Sequence, residues 1–271
     1  MNQDTPLALR WATVLVLPVL VWSGWQPYDR ATWWMEVFPV FVAWPVMWAT
    51  RRSFALTPLL YALIALHAVV LMVGGAYTYA RVPLGFELAQ WLHLQRNPYD
   101  KIGHFMQGFV PALVAREILL RGAWVRGRQM LAFLAVCIVL AISATYELIE
   151  WAAALMLGQG ADEFLGTQGD PWDTQTDMLM ALVGAVTALF SLSRVHDRSM
   201  EKVLARPNAV IPEISPRAYA PRGSATTATL TGLAALGTPA AGTVSTAPCA
   251  AFRGPPISPT MGFVRGFLQC G

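Results

Sequence analysis

Six long apolar stretches, separated by short polar connections, occupy most of this chain up to Leu192. A helix needs about 20 mostly apolar residues to cross the hydrocarbon layer of a membrane, and each stretch has roughly that length. The pattern therefore predicts an all-α fold, a polytopic transmembrane bundle of about six spanning helices. The predicted spans are Leu7–Trp25, Trp33–Ala49, Pro58–Tyr77, Ile102–Leu120, Met130–Leu157 and Thr174–Leu192.

Two parts of the apolar region depart from a simple span. The second stretch contains Glu36, Pro39 and Pro45, but proline is tolerated in a membrane helix when neighbouring groups satisfy the freed carbonyl. The segment from Gly85 to Leu94 mixes polar and apolar residues and is too polar to span. It is typical of a short amphipathic helix that lies on the membrane surface.

The composition changes abruptly after the last apolar stretch. From about Ser199 the chain is rich in Ala, Thr, Gly, Pro and Ser, with scattered arginines. Such a segment has too little periodic apolar surface to offset the entropy of ordering. We therefore predict two parts, a multi-pass transmembrane domain at residues 1–198 and a disordered cytoplasmic tail at residues 199–271.

The overall composition supports the membrane class. The chain has 55% apolar residues, 13% charged residues and a mean hydropathy of +0.46, which lie outside the usual range for soluble domains. Its 11 tryptophans fit the aromatic belts at the two membrane interfaces. Cys137, Cys249 and Cys270 lack the spacing of metal ligands. The expected partner is the lipid bilayer, and no nucleic acid partner is expected.

The distribution of Lys and Arg predicts the orientation, because cytoplasmic loops hold an excess of them. Ten of these residues fall on one side of the predicted spans and four on the other. The ten are Arg10, Arg51, Arg52, Arg121, Arg126, Arg128, Arg194, Arg198, Lys202 and Arg206; the four are Arg30, Arg81, Arg96 and Lys101. Both termini are therefore predicted to lie in the cytoplasm, with the chain in the plasma membrane.

Nearly every acidic or histidine residue near membrane depth falls in one of three short segments: Asp100–His104, Glu147–Glu150 and Asp170–Asp177. Ionisable groups next to hydrocarbon are costly and usually functional. The predicted orientation brings all three segments to the outer face, although the charge count did not use their acids. We therefore expect one polar site there.

The members of this site have different alternatives. Asp100, Asp170 and Asp173 fit a purely structural role as helix caps. Capping does not explain the four candidate catalytic residues, which are His104, Glu147, Glu150 and Asp177. The candidate metal ligands are Asp100, His104, Glu147, Glu150, Asp173 and Asp177. Carboxylate oxygens with one imidazole suit Mg²⁺, Mn²⁺ or Zn²⁺, so the candidate cofactor is a divalent cation.

The three segments also resemble a known family. In order, the sequences NPYDKIGHF (97–105), YELIEW (146–151) and GDPWDTQTDM (169–178) resemble the YjdF-like bacterial inner-membrane proteins, which have no assigned activity. More loosely, the layout is similar to VanZ-like proteins, with Asp100, Lys101, His104 and Phe105 matching an Asp-Lys-x-x-His-Phe motif. The resemblance implies a bacterial inner-membrane location.

Three classes of function agree with these observations. The first is a membrane-embedded enzyme whose cluster binds a divalent cation, or acts as acid and base, on a lipid-linked or phosphate-bearing substrate at the outer leaflet. The second is a proton- or ion-coupled transporter that uses the same acids as titrating relays. The third is a non-catalytic envelope protein whose polar groups only hold helices together.

Overall fold

The computed structural model describes residues 6–157 and 168–205, and the described residues form a bundle of α-helices. The long helices are α1 (Leu7–Trp25), α2 (Arg30–Thr50), α3 (Pro58–Ala76), α5 (Tyr99–Arg121), α6 (Arg128–Leu157) and α7 (Asp173–Ser191). Two short helices are α4 (Pro83–Leu92) and α8 (Ser193–Leu204). The all-α prediction is confirmed, and the long helices agree with the predicted spans to within three residues at each end.

Not every long helix is equally apolar. Three of them, Leu7–Trp25, Pro58–Ala76 and Arg128–Met156, are long and apolar enough to cross a membrane by themselves, and the bent pair α7 and α8 makes a fourth if it is one span. Charged and polar residues lower the hydropathy of α2 and α5, and Glu36, Asp100 and His104 among them belong to the polar site described below. The figure of six spans therefore stays a prediction, while the transmembrane bundle itself is confirmed.

Side-chain caps explain where two helices begin. Asp29 accepts hydrogen bonds from the amide of Thr32 at 2.7 Å and from its hydroxyl at 2.8 Å, so α2 starts three residues before the predicted span. Thr57 accepts a bond from the amide of Leu60 at 3.4 Å and precedes Pro58 at the first helical position, where its missing amide costs nothing. Pro39 and Pro45 lie inside α2, which continues through both.

Helix α3 joins two layers of the bundle. On one side it packs against α1 and α2 through Val16, Val37 and Met72. On the other side it packs against α5, α6 and α7 through Leu60, Leu113 and other buried apolar residues. These two cores exclude solvent from both sides of α3, and they place the N-terminal halves of α5 and α7 beside each other.

Glycines allow α5 and α7 to cross at very short distance. A Cβ on Gly108 of α5 would overlap the carbonyl oxygen of Ala181, and a Cβ on Gly184 of α7 would overlap the carbonyl oxygen of Phe105. The contact is reciprocal, as expected where small residues let membrane helices approach closely. It sets the position of one helix relative to the other, one to two turns from the residues predicted to form the site.

Helix α8 was not predicted, because its polar composition resembled the start of the tail. It bends 64° away from α7 and buries His196 and Met200. The predicted boundary between residues 198 and 199 falls inside this helix, while the division into a membrane domain and a tail stays a prediction. Residues 206–271, including Cys249 and Cys270, lie outside the described residues.

The two ends of the bundle differ in charge. Leu9, Met47 and Tyr61 contact one another where α1 begins, α2 ends and α3 begins; we call this the basic end. At the opposite end, which we call the acidic end, the amide of Tyr28 donates to the carbonyl of Ala76 at 2.9 Å. The acidic end holds the N-termini of α5 and α7, and with them the predicted site.

A buried ionic network closes the basic end. One oxygen of Glu117, which is fully buried, accepts bonds from the amide of Thr57 at 3.1 Å and from Arg121 at 2.7 Å. The other oxygen lies 2.8 Å from Nε2 of His196, and Arg116 pairs with Asp197. The network ties α8 to α5 and to the α2–α3 connection. The i,i+4 pair of Glu117 and Arg121 is only one part of it.

Candidate functional site

His104, on the second turn of α5, is the side chain at the centre of the site. Its Nε2 atom lies 3.5 Å from Oδ1 of Asp100 and 3.7 Å from Oδ1 of Asp177. Its Nδ1 atom lies 3.1 Å from the amide oxygen of Gln107. All three ionisable residues are buried, and one ligand atom from each lies within 4.8 Å of the other two. The structure therefore brings together residues that lie up to 77 positions apart.

Lys101 lies beside this triad and links it to Asp173. Its Nζ atom is 2.6 Å from Oδ1 of Asp177, 2.7 Å from Oδ1 of Asp173 and 3.4 Å from Oδ2 of Asp100. One ammonium group thus neutralises part of the charge of three carboxylates, at the short distances expected of charge-assisted bonds. The sequence analysis used Lys101 only for the orientation and as a position of a motif, and it missed this role.

The rim of the site is formed by Arg96, which is partly exposed. It contacts Oδ2 of Asp170 at 3.0 Å and Oδ1 of Asp173 at 2.9 Å. The loop before α5 is held in place by Asn97, whose backbone amide donates to the side chain of Gln168 at 3.0 Å. Asp170 is therefore at the edge of the cluster, and Asp173 lies between the rim and the buried triad.

The acids of α6 complete the predicted set. Glu147 and Glu150 are three residues apart on α6, so they share one face of that helix, and both are buried. Oε1 of Glu147 lies 3.8 Å from Nδ1 of His104 and has no hydrogen-bond partner among the described residues. Glu150 lies within electrostatic range of Glu36, Glu147 and His104.

Glu36 of α2 also belongs to the site, although the sequence analysis treated it only as an interruption of a span. It is buried, and the hydroxyl of Tyr146 lies 3.4 Å from its carboxylate while donating to the carbonyl of Met35 at 2.8 Å. Tyr79, in the loop after α3, faces the same carboxylate, and burial together with that charge raises the pKa of the Tyr79 phenol well above its usual value. The signal in the sequence that could have identified Glu36 is a carboxyl group inside an otherwise apolar stretch.

The capping alternatives do not hold for two of the aspartates. The N-cap residues of α5 and α7, Pro98 and Trp172, make no side-chain capping bond. Asp100 follows the first residue of α5 and points to Lys101 and His104, and Asp173 is the first residue of α7 and binds Arg96 and Lys101. Asp170 does accept a bond from the amide of Trp172 at 2.9 Å, but this bond closes a turn before the helix.

Comparison with known proteins assigns the chain to a family. Residues 8–198 match the model of a family described as a predicted membrane protein family, DUF2238. The chain belongs to the DUF2238 family. It is also 59% identical, over 197 residues, to the inner membrane protein YjdF of Escherichia coli (strain K12), an alignment that covers 73% of this chain and 94% of that protein. No solved structure matches the chain.

Together, the DUF2238 match and the similarity to YjdF confirm the predicted YjdF-like family and support an inner-membrane location in bacteria. The matched range, residues 8–198, includes every residue of the cluster described above, from Glu36 to Asp177; we call this cluster the acidic site. The VanZ-like layout stays a prediction, as do the orientation of the termini and the functional roles of the site residues.

An apolar groove of about 850 Å³ lies apart from the acidic site, between α1 and the end of α3. Val21, Trp22 and Tyr77 are among the residues that line it, and no lining residue is a carboxylate, a histidine or a cysteine. Among the described residues, the groove therefore offers no acid, base or nucleophile of these types, and the acidic site is the candidate functional site at this end.

Proposed function

We propose that the acidic site binds a divalent cation and acts on a lipid-linked or phosphate-bearing substrate of the cell envelope. The arrangement of Asp100, His104 and Asp177 carries this proposal. Two carboxylate oxygens and one imidazole nitrogen converge within 4.8 Å of one another. A point equidistant from three atoms so spaced lies about 2.1–2.4 Å from each, which is the range of bonds from zinc or manganese to oxygen and nitrogen.

The hydrogen bond of His104 supports its role as a ligand. If Nδ1 donates to the amide oxygen of Gln107 at 3.1 Å, the lone pair is on Nε2, the atom that faces Asp100 and Asp177. Metal-binding histidines usually donate their other ring N–H to an oxygen in this way, which orients the ring. Gln107 is then a positioning residue for the cation site.

The charge balance also favours a bound cation. Two cationic side chains, Arg96 and Lys101, lie among a larger number of buried carboxyl groups. The six buried carboxyl groups belong to Glu36, Asp100, Glu147, Glu150, Asp173 and Asp177. Because uncompensated buried charge is costly, a divalent cation would stabilise the ionised cluster.

Glu147 is the residue best placed to handle a proton. Its Oε1 atom is buried without a hydrogen-bond partner among the described residues and lies 3.8 Å from the ring of His104. A bound cation supplies Lewis acidity toward a phosphoryl oxygen. Glu147 would accept the proton of a water or hydroxyl group that attacks phosphorus. The P–O bond to the leaving group would break, and the leaving oxygen would take that proton from Glu147. Glu150 would support Glu147 electrostatically, and Arg96 and Lys101 would attract a phosphate at the rim.

The first prediction concerns divalent-cation affinity. Wild-type protein purified without chelators should bind Mg²⁺, Mn²⁺ or Zn²⁺ in isothermal titration calorimetry, and metal analysis should identify which. We expect Asp177→Asn to weaken binding about 100-fold and Glu147→Gln about 10-fold, with the fold intact. Affinity should fall as the pH is lowered, because the ligands bind metal only when deprotonated.

Glu87→Gln is the matched control for these variants. Glu87 is an exposed acid of α4, and its replacement removes the same charge without touching the site. If the wild-type protein takes up no divalent cation at neutral pH, the metal site is wrong. A fall in melting temperature without any change in cation binding would favour the non-catalytic envelope protein instead.

The second prediction uses Lys101 to separate a cation site from simple packing. Its ammonium group lies 2.6 Å from a carboxylate of the proposed site and repels any cation bound there. We therefore expect Lys101→Gln to strengthen divalent-cation binding about tenfold, which corresponds to about 1.4 kcal/mol, while lowering the melting temperature of the metal-free protein. Weaker cation binding by this variant would contradict the proposed site.

A proton- or ion-coupled transporter is the second candidate. It is favoured by His67 of α3, which lies beyond the site toward the middle of the bundle and whose buried Nε2 has no hydrogen-bond partner among the described residues. Titratable groups deep in a membrane protein are typical of proton pathways. Proteoliposomes that contain the wild-type protein should then show acid-dependent flux, and a lack of flux at every pH gradient tested would remove this candidate.

A further inference from the structure

The basic end of the bundle exposes seven cations among the described residues. They are Arg10, Arg52, Arg126, Arg128, Arg194, Arg198 and Lys202. Glu201 is the exposed acid described at this end, whereas Arg116 and Arg121 are buried and paired with Asp197 and Glu117. The surface therefore has a strong positive charge that the protein does not neutralise through the described residues.

Helix α8 carries three of these cations in one row. Arg194, Arg198 and Lys202 are spaced four residues apart, so they lie along one stripe of the helix. All three are exposed, while His196 and Met200 on the other face are buried in the bundle. None of the three makes an ion pair with a described residue. We call this row the α8 stripe.

The buried face of α8 holds the stripe in a fixed position. His196 lies 2.8 Å from the fully buried Glu117 and 3.3 Å from Arg116, and Asp197 pairs with Arg116. The helix turns 64° from the axis of α7, so it runs across the end of the bundle. Because the helix that carries these cations is held in place, its backbone needs little further ordering before the row binds a ligand.

Exposed apolar side chains place the stripe at the edge of the hydrocarbon layer. Phe190, at the end of α7, is 92% exposed, Trp124 is 73% exposed and Val195 of α8 is 47% exposed. Aromatic residues are enriched where hydrocarbon meets headgroups. Cations directly beyond such residues are at the depth of lipid phosphates.

We propose that the α8 stripe binds the phosphate groups of anionic phospholipids in the adjoining leaflet. Charge complementarity selects this occupant, since basic segments next to spanning helices attract acidic headgroups by about 1 kcal/mol per Lys or Arg. That energy corresponds to about a fivefold change in affinity per residue. The proposal is independent of the cation site at the acidic end.

Native mass spectrometry of the full chain tests the proposal. The protein is reconstituted in nanodiscs that contain equal amounts of phosphatidylglycerol and phosphatidylcholine, and the lipids retained after release are counted. We expect wild type to retain phosphatidylglycerol preferentially. The double variant Arg198→Gln, Lys202→Gln should lose about 25-fold of that preference, and high salt should weaken it in the wild type.

The double variant Arg30→Gln, Arg81→Gln is the matched control, because it removes two cations from the acidic end and should keep the preference. Equal retention of the two lipids by wild type would overturn the proposal. So would an unchanged preference in the Arg198, Lys202 variant, which would place the lipid contacts elsewhere on the chain. Displacement of phosphatidylglycerol by millimolar inorganic phosphate would also overturn it, because the ligand would then be free phosphate.

Discussion

Glu117→Gln should lower the free energy of unfolding by about 3–5 kcal/mol, more than the other proposed substitutions that remove one charge. The carboxylate has no exposed surface, and it receives bonds from the amide of Thr57, from Arg121 and from His196. Removing one partner of a buried ionic network leaves the other charges without compensation. The melting temperature in detergent, followed by tryptophan fluorescence, measures the effect.

Glu201→Gln is the control for this substitution. It makes the same chemical change on the exposed surface of α8, where we expect a change within about 0.5 kcal/mol. The Glu117 variant should also release α8, so limited proteolysis should cut the chain near Ser193 faster than in wild type. Equal melting temperatures for the two variants would show that the buried network does not stabilise the bundle.

Gly184→Ala should separate α5 from α7 and disturb the acidic site at the same time. The added Cβ would overlap the carbonyl oxygen of Phe105, a backbone atom that cannot turn away. We expect a loss of about 1–3 kcal/mol of stability, the usual cost of overpacking. Because His104 and Asp177 are on the two helices that must move apart, divalent-cation affinity should fall as well, and Gly108→Ala should have the same two effects.

Gly75→Ala provides the comparison. A Cβ at Gly75 would lie 3.3 Å from Cβ of Glu36 and from Cγ2 of Val37, and a shift of a few tenths of an ångström between α2 and α3 would relieve that contact. We expect a clearly smaller change in melting temperature than at Gly184. If Gly184→Ala melts like wild type and binds cations equally well, the close helix crossing does not determine the site.

The relation between sequence and site differs from residue to residue. Asp100, His104 and Asp177 were predicted to meet because three apolar runs and the count of Lys and Arg placed their helix ends on the same side. Glu36 was not predicted, since a carboxyl inside an apolar run shows that something must compensate it but not which helix does. Lys101 was missed for a related reason: its three carboxylate partners lie one, 72 and 76 positions away.

The sequence by itself determined the membrane class, the six long helices and the end of the bundle where the acids collect, because these depend on local hydropathy and on the distribution of charge. Only the tertiary structure decided which side chains touch. That depends on the rotation and depth of each helix, which are set by contacts such as those of Gly108 and Gly184 with backbone atoms of the facing helix. Small residues contribute almost nothing to a hydropathy pattern, yet they allow the approach that brings His104 to Asp177.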